Sequence, residues 1–257
     1  MNVYVSGAIW VVGIAAAAAL VTILARKYSP KEGRSGNEAI GIVYTIVGGL
    51  HAVVLAFVLI SLFDAVGTVR DGSYTEANSL VAVYWAADAL PEPARGQIQE
   101  QARVYARTVI DQEWPAMREG NPVGGQGWTA LERIRTSIDN ATADGDWQQA
   151  RKTEAASQLW NVYQARQARL TAAGTSGVSS VVWIALVVGS ILSIALPYLF
   201  DGPKLLTHMA IMASLAGTIG LLMYAIYQLQ NPFSGGAHVD PTAFTSILER
   251  FTAARTG

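Results

Sequence analysis

Cysteine is absent from the 257 residues. No disulfide framework and no thiolate metal site can therefore form. Histidine occurs only at His51, His208 and His238, too dispersed for a metal motif. Charge is scarce as well, with 14% of residues being Asp, Glu, Lys or Arg, against about 25% in globular domains. The net charge is −1 and the basic residues form no face or stripe, which argues against nucleic acid as a partner. Period-two alternation is missing, so no sheet is expected. There is no phosphate loop after a strand, no nucleophile elbow and no His-Glu-x-x-His. The chain therefore reads as a non-enzyme that needs no metal or cofactor. The opening residues MNVYVSG carry no Lys or Arg, while Arg26, Lys27, Lys31 and Arg34 follow the first apolar run. That order suits an uncleaved anchor rather than a signal peptide.

Apolar residues are abundant, at 51% of the chain with a mean hydropathy of +0.29. Of the 18 basic and 19 acidic residues, 25 lie between Asp64 and Arg169. Residues 1–25, 39–63, 171–200 and 205–239 carry no Asp, Glu, Lys or Arg. Each stretch reaches the roughly 20 residues that a helix needs to cross a bilayer. The expected fold is an all-α integral membrane protein with four transmembrane helices, in a 2+2 arrangement around a helical extramembrane insert. Residues 1–65 form a first hairpin, 66–177 the insert, 178–230 a second hairpin and 231–257 a tail. The spans are expected near 8–25, 39–63, 178–200 and 205–229. A loop over 26–38 and the turn Asp201-Gly202-Pro203-Lys204 connect them.

The helical pattern of the second span continues to about Leu90, where Pro91-Glu92-Pro93 stops it. Ala94–Met117 places Ile98, Ala102, Tyr105, Val109 and Ile110 at helical spacing. Gly120–Gly127 is a loop. Trp128–Ala141 aligns Leu131, Ile134 and Ile138. A long helix over 147–172, with Asp146 as its cap, points Ala156, Leu159, Trp160 and Tyr163 inward. The scattered Asp and Glu of this insert read as solvated faces. In the tail, Asp240-Pro241 opens a short helix to about Ala254.

Lys and Arg in short loops set sidedness. Four basic residues follow the first span and one lies in the turn between the third and fourth. The opposite flanks hold only Arg70, Arg166 and Arg169. The short loops are thus expected in the cytoplasm, with the N-terminus, insert and C-terminus outside, in a multi-pass protein of the cell membrane.

Residues 48–93 (GGLHAVVLAFVLISLFDAVGTVRDGSYTEANSLVAVYWAADALPEP) combine a Gly-rich span, a Phe-rich exit, the pair Glu76-Ala77 and a Leu90-Pro91 stop. After the last span come Asn231, Pro232, Phe233, Ser234 and Gly235, then Asp240-Pro241 and Phe244. These two segments resemble the bestrophin-like membrane protein family, and the likeness extends over nearly the whole chain. It implies a relation to bestrophins, oligomeric anion channels lined by their second helix, which hold their helical insert in the cytoplasm. The number of subunits it implies is five. The acidic Ca²⁺ clasp of bestrophins has no counterpart, so Ca²⁺ gating is not implied.

With that family in view, His51 is the ionisable residue deepest in a span. It reads either as a pore or proton-relay group or as a neutral imidazole bonded to a neighbouring helix. His51, Leu55, Val58 and Leu62 form one helical stripe, either a mostly apolar pore lining or a packing face. Gly48, Ala52 and Ala56, at spacing four, form a small-residue stripe for packing against another helix. Asp64 and Glu76 read as vestibule or salt-bridged groups. Asn231, Pro232, Phe233 and Gly235 end the last helix and re-aim the chain, or contribute to a vestibule. His208 and the aromatics Trp10, Tyr44, Trp183, Tyr198, Tyr224 and Tyr227 suit the bilayer interfaces.

Four spans with one histidine cannot enclose a polar conduit alone, whereas a ring of copies can. The expected function is an oligomeric, anion-conducting channel whose partners are the bilayer, its own copies and ions. The alternative is a non-conducting membrane scaffold or stress sensor that binds partners through the insert. A solute transporter is disfavoured because no paired Gly/Pro-broken spans flank a midplane site.

Overall fold

The computed structural model describes residues 3–28, 37–175, 177–199 and 205–256. The middle of the 26–38 loop, with Lys31 and Arg34, and the turn 201–204 lie outside them. Among the described residues the helices are, in order, α1 (Val3–Tyr28), α2 (Asn37–Ala86), α3 (Ala94–Thr108), α4 (Trp114–Glu119), α5 (Gln126–Asn140), α6 (Asp146–Thr175), α7 (Ser180–Ala195), α8 (Leu205–Leu229) and α9 (Thr242–Thr256). No strand occurs among these residues. Four stretches are long and apolar enough to cross a membrane: Val3–Ala25, Gly41–Ala89, Ser180–Tyr198 and Leu205–Leu229. Their outward residues are apolar, with Val181 76% and Leu206 79% exposed, the pattern of helices solvated by lipid rather than water.

The chain divides into two compact units, Met1–Asp64 with Gly177–Gln230 and Ala65–Ser176 with Asn231–Gly257. The tail is thus part of the same unit as the insert. α2 has 50 residues, about 75 Å at 1.5 Å per residue, and contributes to both units.

In the membrane unit, neighbours in sequence are not the closest partners. α1 packs along α8 rather than along α2. Small residues permit this approach. A methyl group on Gly220 of α8 would lie 2.9 Å from Ile14 Cδ1 of α1, and one on Gly217 would touch Ala15. The Tyr224 hydroxyl donates to the Val3 carbonyl at 2.7 Å, and the Tyr198 hydroxyl to the Ala18 carbonyl at 2.7 Å. These two tyrosines, read from sequence as interfacial, tie the turn after α7 (Leu196–Leu199) and α8 to α1. Buried Thr22 donates to Ala18 O at 2.9 Å. Backbone and hydroxyl groups thereby find partners where no water is at hand.

In the second unit, α3 and α5 pack together, and α6 and α9 close on them. Ile98, Ala102, Tyr105, Val109, Leu131, Ile134 and Ile138 are all buried, as their spacing predicts. After α2 a 3-10 turn over Ala87–Ala89 carries the chain to Leu90, which turns extended ahead of Pro91. Between α3 and α4 the helix widens into a π-turn over Val109–Glu113. Pro115 follows at the start of α4. It has no N–H to give back to the preceding turn, which accounts for the widening.

On α6 the inward face needs correction. Ala155, Leu159, Val162, Arg166 and Arg169 are buried, whereas Trp160 is 62% exposed and Ala156 is exposed too. The true stripe runs through two arginines, so an apolar count along α6 rotates the face outward by about one residue.

Candidate functional site

In the membrane unit, α2 turns His51, Leu55 and Leu62 inward, at 8%, 3% and 8% exposure, with Val58 half-buried. His51 Nε2 lies 3.1 Å from the Ser190 hydroxyl of α7. The ring rests on Gly189, where any side chain would collide with Nδ1. The stripe is thus turned into the chain, with the Ser190 contact at His51. The small-residue stripe behaves in the opposite way. Ala52 and Ala56 are exposed, and a methyl group on Gly48 would meet nothing within 4 Å among the described residues. Beside them Val53, Phe57 and Ile60 are 51%, 67% and 57% exposed. Asp64, where the unit ends, is exposed.

The second unit holds a buried charge cluster. Glu76 of α2, Glu113 of the π-turn, and Arg166 and Arg169 of α6 are each 3% exposed or less. Arg169 donates to both Glu76 oxygens, from Nε at 2.9 Å and Nη2 at 3.0 Å. Its Nη2 also reaches Glu113 Oε2 at 2.9 Å. Arg166 Nη1 donates to both Glu113 oxygens, at 2.6 and 2.7 Å. The Tyr105 hydroxyl of α3 donates to Glu76 Oε1. Two positive and two negative charges balance, which a buried ionic site requires. Burial, with the Glu76 charge adding to it, pushes the Tyr105 phenol well above its ordinary range. For Arg169, burial works against the charge, but the Glu76 carboxylate outweighs it and holds the guanidinium protonated. The arginines lie on aromatic faces, Arg166 4.4 Å from Trp128, and Arg169 5.4 Å from Trp114 and 5.7 Å from Phe244. Gly127 leaves space for the cluster, since a methyl group there would sit 2.6 Å from Arg166 Nη1.

The tail covers this cluster. Asn231 Oδ1 accepts from Phe233 N at 2.9 Å, closing a turn. Gly235 supplies a left-handed φ of 85°. The turn plants fully buried Phe233 5.6 Å from the Trp114 ring. Trp114 Nε1 then donates to Val239 O at 2.9 Å. Phe244, also fully buried, stands over Arg169. Pro232 is buried while Gly235 is exposed.

A family model described as the Bestrophin-like domain matches residues 12–244. The chain belongs to the bestrophin-like family. No curated protein matches it. Among solved structures, a bacterial bestrophin homologue from Klebsiella pneumoniae carrying a leucine-to-threonine mutation is similar at a TM-score of 0.68 and 14% identity, over 97% of this chain and 98% of that one. A proline-to-alanine variant described as a membrane protein gives a TM-score of 0.70 at 14% identity, over 96% and 98% of the two chains. At these identities the likeness establishes the fold, that of a helical membrane protein of the bestrophin-like family.

Among the predicted site residues, the structure brings Glu76 and Phe233 into one unit, around the Arg169–Trp114 contact. It leaves His51 against α7, and Ala52 and Ala56 open. Sequence reasoning missed Glu113, Arg166, Arg169 and Ser190. The signal was present in α6: Arg166 and Arg169 continue the positions of Leu159 and Val162 at spacing three, four and seven. A charged residue in register with a core face is a candidate for a buried partner.

Proposed function

We propose that the protein is a homo-oligomeric, anion-conducting channel whose second helix lines the conduction path. The single observation that carries this is the exposed half of α2 in the membrane unit. Its inner stripe is taken up by the chain itself, while Ala52, Val53, Ala56, Phe57 and Ile60 are left open. Small residues let helices of neighbouring copies approach, and the larger ones form an apolar constriction of the kind that gates by dewetting. The lining thus moves from His51, Leu55, Val58 and Leu62 to the opposite face. Five copies around the axis follow the bestrophin plan. The short loops lie in the cytoplasm of a cell-membrane protein and the insert lies outside.

The test is current. Purified protein in planar bilayers should conduct, with a reversal potential that follows the anion gradient. Ile60→Ala or Phe57→Ala should raise conductance severalfold. Silence across voltages and pH, or a reversal potential that follows the cation, sinks the reading.

A second reading is favoured by specific features. A non-conducting scaffold predicts an inward stripe on α2 and exposed apolar groups on the insert. Trp85, Trp147 and Trp160 are 57%, 67% and 62% exposed, and a groove of about 810 Å³ is lined by Gln101, Trp128 and Tyr163. Silent bilayers together with capture of a defined partner lost in Trp160→Ala would support it.

A further inference from the structure

His51 has both a partner and a cradle on α7. Its Nε2 bonds Ser190 at 3.1 Å, and its ring occupies the space that Gly189 leaves empty of side chain. Among the described residues of the four spans read from sequence, no carboxylate is present to balance a proton on that ring. Residues 39–63 of α2, all of α7 and α8, and α1 as far as Ala25 contain no Asp, Glu, Lys or Arg. From α7 the ring meets Gly189 and the neutral Ser190. Among the other titratable side chains of the spans, Tyr198 and Tyr224 are committed to α1 carbonyls. His208 lies against the Tyr198 ring at 6.0 Å, and Tyr227 is 59% exposed.

We propose that the His51–Ser190 contact is an acid-sensitive latch between α2 and α7, closed while the imidazole is neutral and released when it gains a proton. A neutral imidazole offers one donor and one acceptor, and the Ser190 hydroxyl can serve Nε2 in either role. An imidazolium has two donors and a charge, and charge inside a bilayer is expensive. Ser193 adds a second position. It lies three residues beyond Ser190 on the same face of α7, is 3% exposed, and its hydroxyl has no partner among the described residues. It offers the protonated ring a further acceptor, one turn along α7. Reaching it requires α2 to move along α7 by about 4.5 Å, a one-turn shift of the kind seen in other helix ratchets. The latch is a property of the single chain. Only its effect on conduction rests on the channel proposed above.

The direction of the pH effect follows from the neutral state. The contact with Ser190 is assigned to the neutral ring, and a free histidine protonates near about 6.5. The latch's contribution to stability is whole above that pH and is lost as pH falls. The melting temperature of the purified full chain in detergent should therefore drop by about 3–5 °C per pH unit on the acid side. His51→Gln keeps a hydrogen-bonding amide that does not titrate and should flatten this dependence, while His208→Gln and His238→Gln should retain it. A wild-type melting temperature with no inflection in the histidine range overturns the latch, as does an inflection that persists in His51→Gln. Should His51→Gln fail to fold, Ser190→Ala decides. It should displace the midpoint, and an unmoved midpoint overturns the latch. Anion flux into proteoliposomes at mildly alkaline and mildly acidic pH is the separate readout. Flux absent at both, with the inflection intact, removes the channel and leaves the latch standing. Flux present but indifferent to pH overturns the link between latch and conduction.

Discussion

Arg169 serves two carboxylates at once, Glu76 and Glu113, at 3% exposure. Cutting it to alanine leaves Glu76 with Tyr105 and no cation, and leaves Glu113 with Arg166 alone. Stranding one charge of a buried pair costs about 3–5 kcal/mol. Arg169→Ala should therefore lower the melting temperature sharply, and Arg169→Lys should fall between it and the wild type, because an ammonium cannot make the two-pronged contact. An unchanged melt in Arg169→Ala would remove the cluster from the account of stability. Tyr105 gives the same cluster a pH signature. Its pKa is raised in the fold, so its contribution to stability is complete below the free tyrosine value of about 10 and is lost as pH rises past it. Among the ten tyrosines, Tyr105 should ionise only as the fold opens, in an absorbance titration compared with Tyr105→Phe. Early ionisation of the wild-type residue would contradict its burial beside Glu76. At this scale the sequence was half legible. Glu76 was singled out, but its partners were not, because a lone Arg or Glu on a helix is indistinguishable from a solvated one until the opposing charge is placed.

Among the elements, α2 combines opposite demands. Its inner stripe is filled by α7 at His51, while Ala52 and Ala56 stay uncovered by the chain. Enlarging those two positions should leave folding of the subunit intact and act only between copies. Ala52→Leu with Ala56→Leu is expected to shift the complex toward smaller species in light scattering of the detergent-solubilised protein, with a melting temperature within about 2 °C of wild type. Unchanged mass would mean that this face meets lipid rather than another copy. The length and period of α2 were readable, including its run past the membrane to the Pro91 stop. Which face it buries was not. Apart from His51 and Ser61 its residues from 50 to 63 are apolar all round, and a helix so nearly uniform carries little orientation signal. α6 illustrates the converse. Its polar side chains mark a face clearly, but two of them mark the buried one.

For the whole molecule, sidedness remains a matter of charge and is open to direct measurement. A cysteine placed at Gly125, in the loop before α5, should react with a membrane-impermeant maleimide added to intact cells, since no native cysteine competes. Labelling only after lysis would place the insert in the cytoplasm and reverse the orientation drawn from Lys and Arg. The four spans, the helical insert and the stops between them were determined by sequence alone. Uncharged runs of about 20 residues have no stable place but a bilayer, and proline and glycine break helices wherever they fall. The tertiary structure decided the partnerships: α1 with α8, His51 with Ser190, Glu76 with Arg169, and the tail over Trp114. Each joins residues far apart in the chain, and each depends on which of several equivalent surfaces meet. Local chemistry sets the surfaces, and packing chooses among them.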